Sequence, residues 1–550
     1  MWLWLRRAMP SIATPLRLVG PYTPAVLTRS RAFAQSFWRA RTRAVETAEV
    51  PPEAEDSAAA DVEREPRGGA PGDVADLVPI LLLAGLIALY IVVFGTLTWM
   101  QQTNFGTFGF DMGIYDQGIW LLSRFKNPFD TVRGLNFFAH HVNVITLAFV
   151  PFYWLGAGPH FLYLIETVWM ALGALPVWLL ARDRLGGRWL PLGLAASFLL
   201  YPSLEWINWW HFHPDALIIT PLLFAWWLAT RGRWGWFSVA VATALLCKED
   251  AALAVAALGL ALMIRGRRRA GALTCVAGVG WFLLATKVII PIANGGSSPF
   301  YVRELFPGFG DSLSAIAVNL VTHPGRFFSL VTQPDRLTYY RQLLVPVAFL
   351  PLAALEVLLI GIPQAAVNSI SGHELTHDIH YHYSSIVIAA VFLATVESCA
   401  RLGGRAAVRR VLVGLVLAAS VATNVVWSPS PIGTLYRSGI WAVAQPRHQL
   451  LRDALARVPA GAGVSATYNL VPHLTHRVHI YEFPNPWVPT NWGANGENPP
   501  DPETASYLVL DTALNGPQQG LYERLVAPNG SFRIVYDVDG IVVARRVAPG

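Results

Sequence analysis

The sequence predicts an α-helical polytopic membrane protein of about eleven spans with a small C-terminal extracytoplasmic α/β domain, and three observations carry that reading. The run from Leu77 to Met100 holds no charge and exceeds the roughly 20 apolar residues that cross a bilayer core. Of the 550 residues, 54% are hydrophobic and 14% charged, a balance too apolar for a string of soluble domains. Arginines cluster between the apolar runs, and because basic short loops stay cytoplasmic, their placement fixes an orientation.

Residues 1–76 begin with Arg6, Arg7, Arg17, Arg29, Arg31, Arg39, Arg41 and Arg43, with no acid before Glu46, and continue into a Pro/Ala/Glu-rich stretch. That composition predicts a disordered cytoplasmic tail. It also fits an organellar transit peptide or a misassigned start codon.

A multi-span domain is expected over 77–427. Placing the clusters at Arg182–Arg188, Arg231–Arg233, Arg265–Arg269 and Arg401–Arg410 inside gives one consistent path. The first span leads outward, to an external loop over 101–159 in which the Pro151-containing piece Val142–Leu155 lies along or dips into the membrane face. Spans follow near 160–181, 190–203 and 214–230. The stretch from Arg233 to Arg265, interrupted by Lys248-Glu249-Asp250, reads as a tight hairpin with those charges at its external tip. After a span near 270–291 comes a second external loop, 292–342. The segment Leu343–Ile370, broken by Pro351, Glu356 and Pro363, reads as two short helices, and spans near 384–400 and 411–427 leave the C-terminus outside. The protein is thus expected in the cell (inner) membrane, N-terminus cytoplasmic and C-terminus extracytoplasmic. Cys247, Cys275 and Cys399 all fall in apolar segments, which argues against a disulfide framework.

From Ser428 to Gly550 the pattern is that of a small extracytoplasmic α/β domain. Gln445–Arg457 has helical spacing, with Leu450, Leu451 and Leu455 on one side, and Tyr507–Leu510, Phe532–Tyr536 and Ile541–Val543 read as strands between Pro, Asn and Gly turns.

This path brings the unusual polar residues to one face: Asp111 and Asp116; His140 and His141; His211, His213 and Asp215; Lys248, Glu249 and Asp250; and the run from Ser371 through His373, His377, His380 and His382 to Tyr383. Ionisable groups at membrane depth are costly and face a cavity or a partner, so a shared cavity is expected, against the plainer reading that external loops tolerate polar residues. Asp111 and Asp116, five residues apart, do not share a helical face well; one can act as a base toward an acceptor hydroxyl while the other caps a helix, and either can pair with Arg124 or Lys126. In WINWWHFHPD (206–215) the tryptophans fit an interfacial belt, and His211 and His213 are candidates for a metal or a phosphate. Lys248 offers a cation to an anionic head group, or an internal salt bridge with its neighbouring acids. His373-Glu374-Leu375-Thr376-His377 matches the H-E-x-x-H zinc pattern, so His373 and His377 are candidate metal ligands; the surrounding His380 and His382 also fit a hydrogen-bonded network. The cofactor is open, a divalent metal included. No phosphate-binding glycine loop or nucleophile elbow is present. The net charge of +6 resides mainly in cytoplasmic arginines, which argues against a nucleic-acid partner.

The segments FDMGIYDQGIW (110–120), HHVNVITLAFVPFYWL (140–155), ALGALPVWLLAR (171–182), FHPDAL (212–217), CKEDAAL (247–253) and YHYSS (381–385) together resemble the predicted membrane proteins of domain of unknown function 2079. That family in turn resembles the C-type glycosyltransferases (GT-C), multi-span enzymes that take a sugar from a polyprenyl-phosphate carrier with an acidic residue in the first external loop. The resemblance implies Asp111 as candidate base, with Asp116 second, and Lys248, His211 and His213 as holders of the lipid phosphate. The expected partners are then a polyprenyl-phosphate-linked sugar and membrane lipid, with oligomeric state left open. The chain lacks an Asp-x-Asp pair in the first loop, which departs from a metal-dependent donor site. A non-catalytic lipid-linked substrate transporter or scaffold, and a zinc metallopeptidase, are the competing functional classes.

Overall fold

The computed structural model describes residues 74–295, 305–306, 308–493 and 500–547, with side chains from Leu77 onward. The arginine-rich tail expected over 1–76 lies outside these residues, apart from the backbone of the first helical turn.

Helix α1 (Val74–Thr103) contains the charge-free run and, at 1.5 Å per residue, is about 45 Å long. It ends where Asn104 leaves the helix and Phe105 takes a positive φ of 58°. A single π-turn, Gly109–Gly113, leads into α2 (Ile114–Ser123). Next comes α3 (Pro159–Leu172), continuing after Gly173 as α4 (Ala174–Leu185). Then α5 (Trp189–Leu199) and α6 (Pro202–Trp209) meet at a 42° bend. Pro202 supplies the cause, since proline lacks an N–H and pushes the residue before it out of helical geometry.

Helices α7 (Ile219–Thr230), α8 (Trp234–Cys247), α9 (Ala251–Ile264) and α10 (Arg268–Leu284) follow. Closing the bundle are α11 (Ser385–Leu402) and α12 (Ala406–Trp427). Where α9 and α10 pack, a Cβ on Gly259 would stand 2.5 Å from the Gly271 carbonyl oxygen, and one on Gly278 2.6 Å from that of Ala252. Small residues let the two backbones touch, the usual means of joining helices where lipid removes the hydrophobic drive between them.

Among the described residues five helices are long and apolar enough to cross a membrane, or six if the bent α5–α6 pair is one span. Helices α8 and α9, at 14 residues, are each about 21 Å long against a hydrocarbon core of about 30 Å. The count near eleven is therefore not reached by length alone. Leu343–Ile370, expected as two short helices, holds single turns at Val345–Val347 and Leu350–Ala353 and then one apolar helical stretch, Leu355–Ile370.

The bundle has two chemically distinct ends. At one, Arg184 Nη2 lies 2.9 Å from Glu397 Oε1, and Arg265 Nη2 lies 2.7 Å from Glu356 Oε1 and 3.4 Å from Glu397 Oε2. Arg401 also bonds Glu356, and Arg231 is 3.6 Å from Asp183, so the four arginine clusters gather there. Lys248-Glu249-Asp250, immediately before α9, and His382, at the head of α11, lie at the opposite ends of the same helices.

Strands β1 (Phe129–Asp130) and β2 (Leu135–Asn136) form a small hairpin in the first loop. The C-terminal region carries α13 (Arg447–Leu455), β3 (Val464–Ala466), β4 (Ile480–Glu482), β5 (Tyr507–Asp511), α14 (Gln519–Val526), β6 (Phe532–Val538) and β7 (Ile541–Arg546). The sheet order is β4-β3-β5-β7-β6, parallel across β4, β3 and β5 and antiparallel across β5, β7 and β6. The expected helix and three strands are present. Strands β3 and β4 were not anticipated, because three-residue segments carry too little alternation to register. Ile114 and Val132 of the first loop are buried in the same apolar cluster as Leu451, Val464, Val471 and Val509, so loop and sheet share one core.

Candidate functional site

The π-turn that carries Asp111 is pinned to the C-terminal domain. Gly109 N–H donates to the Tyr468 carbonyl at 2.8 Å, and a Cβ on Gly109 would meet Val471 at 2.8 Å and Glu482 Oε2 at 3.0 Å. Such a turn puts one extra residue into a helical start, and here it turns Asp111 toward the bundle. Its Oδ2 lies 3.4 Å from His211 Nδ1 and its Oδ1 3.5 Å from His213 Nε2, distances long for hydrogen bonds but short for charges. The Asp111 side chain keeps 24% exposure while both imidazoles are buried, so it is the accessible member of the group. Burial pushes its carboxyl up, yet its contacts with His211 and His213 outweigh that and hold it well below the usual carboxylate range.

His213 is fixed on three sides. Its Nδ1 donates to the His211 carbonyl at 2.8 Å, its backbone N–H donates to Glu166 Oε1 at 3.2 Å, and its ring stacks on His382 at 3.7 Å with an interplanar angle of 16°. Beyond the stack lies Lys248, whose Nζ is 2.7 Å from Asp215 Oδ1, 3.6 Å from Asp250 Oδ2 and 5.8 Å from the Tyr383 ring centroid. Burial opposes the Lys248 charge, but Asp215, Asp250 and Glu249 raise its pKa; burial likewise opposes the Asp215 carboxylate, which Lys248 holds low. Asp250 shares the lysine less closely, and burial pushes it up to about 6. Glu249 faces the other way, with Oε1 2.8 Å from His141 Nδ1 and Oε2 accepting Val142 N–H at 3.0 Å. His140 packs on His141 with ring centroids 4.4 Å apart.

The structure thus brings together Asp111, His211, His213, Asp215, Lys248, Glu249, Asp250, His140, His141 and His382. Asp116 is elsewhere. Fully buried, it accepts from Tyr153 Oη at 2.6 Å and from Thr475 Oγ1, and its Oδ2 is 3.2 Å from His476 Nε2. His380 turns to Asp378 and packs edge-on against Trp206. Glu374–His377 is a single 3-10 turn preceded by His373 in extended geometry, so the two histidines are not stacked one α-turn apart, and His377 Nε2 lies 3.1 Å from Asp335 Oδ2. Among the described residues no three His, Cys, Asp or Glu side chains gather as a metal-holding group. A cavity of about 470 Å³ between α3, α7 and α8 is lined by Trp169, Phe224, Trp227 and Trp236, with Arg233 its one ionisable group, and lies apart from this chemistry.

Three contributors escaped the sequence reading. Glu166, a lone carboxylate inside an apolar helix, carries a signal that intramembrane charge provides, and it braces His213 from behind. Glu482, buried beside Gly109, is pushed up to about 7 by burial and by the Asp111 charge. His476 had no sequence signal, since its partner lies 360 positions earlier.

The sequence pattern described as "Predicted membrane protein (DUF2079)" matches residues 101–543. Among solved structures, ArnT from Cupriavidus metallidurans in the apo state is similar at 14% identity and a TM-score of 0.52, covering 85% of this chain and 98% of that one. The archaeal oligosaccharyltransferase AglB from Archaeoglobus fulgidus, in complex with an inhibitory peptide and a dolichol-phosphate, covers 85% of this chain and 74% of that one at 12% identity and a TM-score of 0.36. Comparison with curated protein sequences returns no match. The likeness to ArnT extends the match to the fold of nearly the whole of that protein.

Proposed function

The chain belongs to the DUF2079 family of predicted membrane proteins, and from that premise we propose that it is a membrane glycosyltransferase, moving a sugar from a polyprenyl-phosphate donor to an extracytoplasmic acceptor. The observation that carries the reading is Asp111, an accessible carboxylate held between two buried histidines, in a chain that shares its fold with ArnT. With the arginine-rich end cytoplasmic, this cluster faces outward, where a flipped lipid donor presents its sugar.

In the proposed step Asp111 accepts the proton of the acceptor hydroxyl as that oxygen bonds to the sugar carbon and the bond from the sugar to the lipid phosphate breaks. A strongly acidic carboxylate is a weak base, but it is always ionised. In an oxocarbenium-like transition state the acceptor oxygen grows acidic as its new bond forms, which suits a late proton transfer. In this reading Lys248, His211 and His213 are the groups that stabilise the charge developing on the departing phosphate. The donor set does not fit a divalent ion: the Lys248 ammonium already stands between the Asp215 and Asp250 carboxylates, so no step is routed through a metal.

The test is reconstitution in proteoliposomes with a radiolabelled polyprenyl-phosphate sugar and an external acceptor extract. Wild type transfers label while Asp111→Asn retains donor binding and loses transfer. Wild-type turnover by Asp111→Asn removes the assignment, and donor binding without turnover by wild type favours the transporter reading.

A further inference from the structure

A second site lies on the other side of the motif that carries Asp111, where the C-terminal domain meets the ends of the first two long helices. A cavity of about 240 Å³ there is lined by Gln102 at the end of α1, His160 in the first turn of α3, and His473, Thr475, His476 and Arg477 from the turn before β4. Against a liquid share of about 30 Å³ per water, that is room for a small polar group and not for a single water.

Three observations bear on its charge and a fourth on an unpaired polar atom. No carboxylate lines it; the nearest, Asp116, sits behind Thr475 and is already paired with His476. Arg477 is anchored by donating from Nε to the Leu474 carbonyl and from Nη1 to that of Ala462 at 2.7 Å, which holds its cation in place. The N-terminus of α3 has no side-chain cap and abuts the cavity: a Cβ on Gly158 would be 3.4 Å from His476 Nε2. Helix N-termini carry partial positive charge and orphan N–H groups, which favour anions. Finally, His473 Nε2 is buried and has no hydrogen-bond partner among the described residues, although its ring packs on Phe105 with centroids 4.3 Å apart. A buried polar atom without a partner is rare and calls for one.

We propose that this cavity binds a phosphate group, held by His473, His160, His476 and the fixed Arg477 under the N-terminus of α3. Its position at the ends of two membrane-crossing helices, beside the exposed Trp99, lets either the headgroup of a lipid or a free phosphate reach it. The site is independent of the transfer chemistry at Asp111. Imidazoles and a guanidinium line it, and the nearest carboxylate among the described residues, Asp116, already contacts His476, so an anion enters without displacing a carboxylate.

The test is calorimetric titration of the full-length, detergent-purified protein with dihexanoyl phosphatidic acid and with inorganic phosphate, competed against each other. One saturable site is expected, weakened about tenfold by His473→Gln and similarly by His160→Gln, with thermal unfolding unchanged. Mutual competition identifies a site open to lipid headgroups, and binding of phosphate alone, lost in the same variants, assigns it to the free anion. Absence of binding by either probe, or wild-type affinity in both folded variants, overturns the proposal.

Discussion

Asp111 and Asp116 stand five residues apart in one motif yet answer to different halves of the molecule: Asp111 lies 3.4 Å from His211 Nδ1 in the bundle, and Asp116 lies 3.2 Å from His476 Nε2 in the C-terminal domain. The two carboxylates are therefore expected to give different phenotypes. Asp111→Asn lowers transfer by at least about 10²-fold with an unchanged melting temperature, as loss of a general base requires. Asp116→Asn weakens its bonds with Tyr153, Thr475 and His476 and lowers the melting temperature instead, measured by tryptophan fluorescence in detergent.

Lys248 and Asp215 form a buried pair, 6% and 8% exposed at the side chain. Removing one partner strands the other, at about 3–5 kcal/mol, whereas removing both together is far less costly. Lys248→Met should therefore destabilise the protein strongly, and adding Asp215→Leu should recover a large part of the loss. Denaturation of both variants in parallel measures the coupling.

Glu482 supplies a pH signature. Its carboxyl is pushed up to about 7 by burial and by the Asp111 charge, above the ordinary glutamate range. A raised folded-state pKa gives a contribution present in full below the unfolded value and lost as pH rises through about 7. Stability is thus expected to decline from pH 5 to pH 8, and Glu482→Gln, which cannot ionise, should flatten that part of the profile.

Ile114 is buried in the core shared by loop and sheet. Ile114→Ala should cost about 2–5 kcal/mol and expose the C-terminal domain to protease, although the residue lies outside it. Limited proteolysis with mapping of the cut sites reads this directly.

Much of the architecture is legible in the sequence because its cues are local. The charge-free run that becomes α1, the arginines that meet Glu356 and Glu397, and the strands β5, β6 and β7 all announce themselves within their own segments. The grouping of Asp111 with His211 and His213, and of Asp215 with Lys248, follows from counting crossings, which puts their loops at one end. The partner of Asp116 is not legible, because nothing in residues 110–120 points to Thr475 or His476. H-E-x-x-H has a spacing that suits an α-helix, but Glu374–His377 is a single 3-10 turn. Glu166 was readable and missed, being the one acid in an otherwise uncharged α3.

The shared core also sets an order of assembly. Ile114 and Val132 precede the surfaces that bury them, from Leu451 to Val543, by more than 300 positions in the chain. The first loop therefore waits during synthesis, its apolar side chains uncovered, until those later residues have been made and can pack on it.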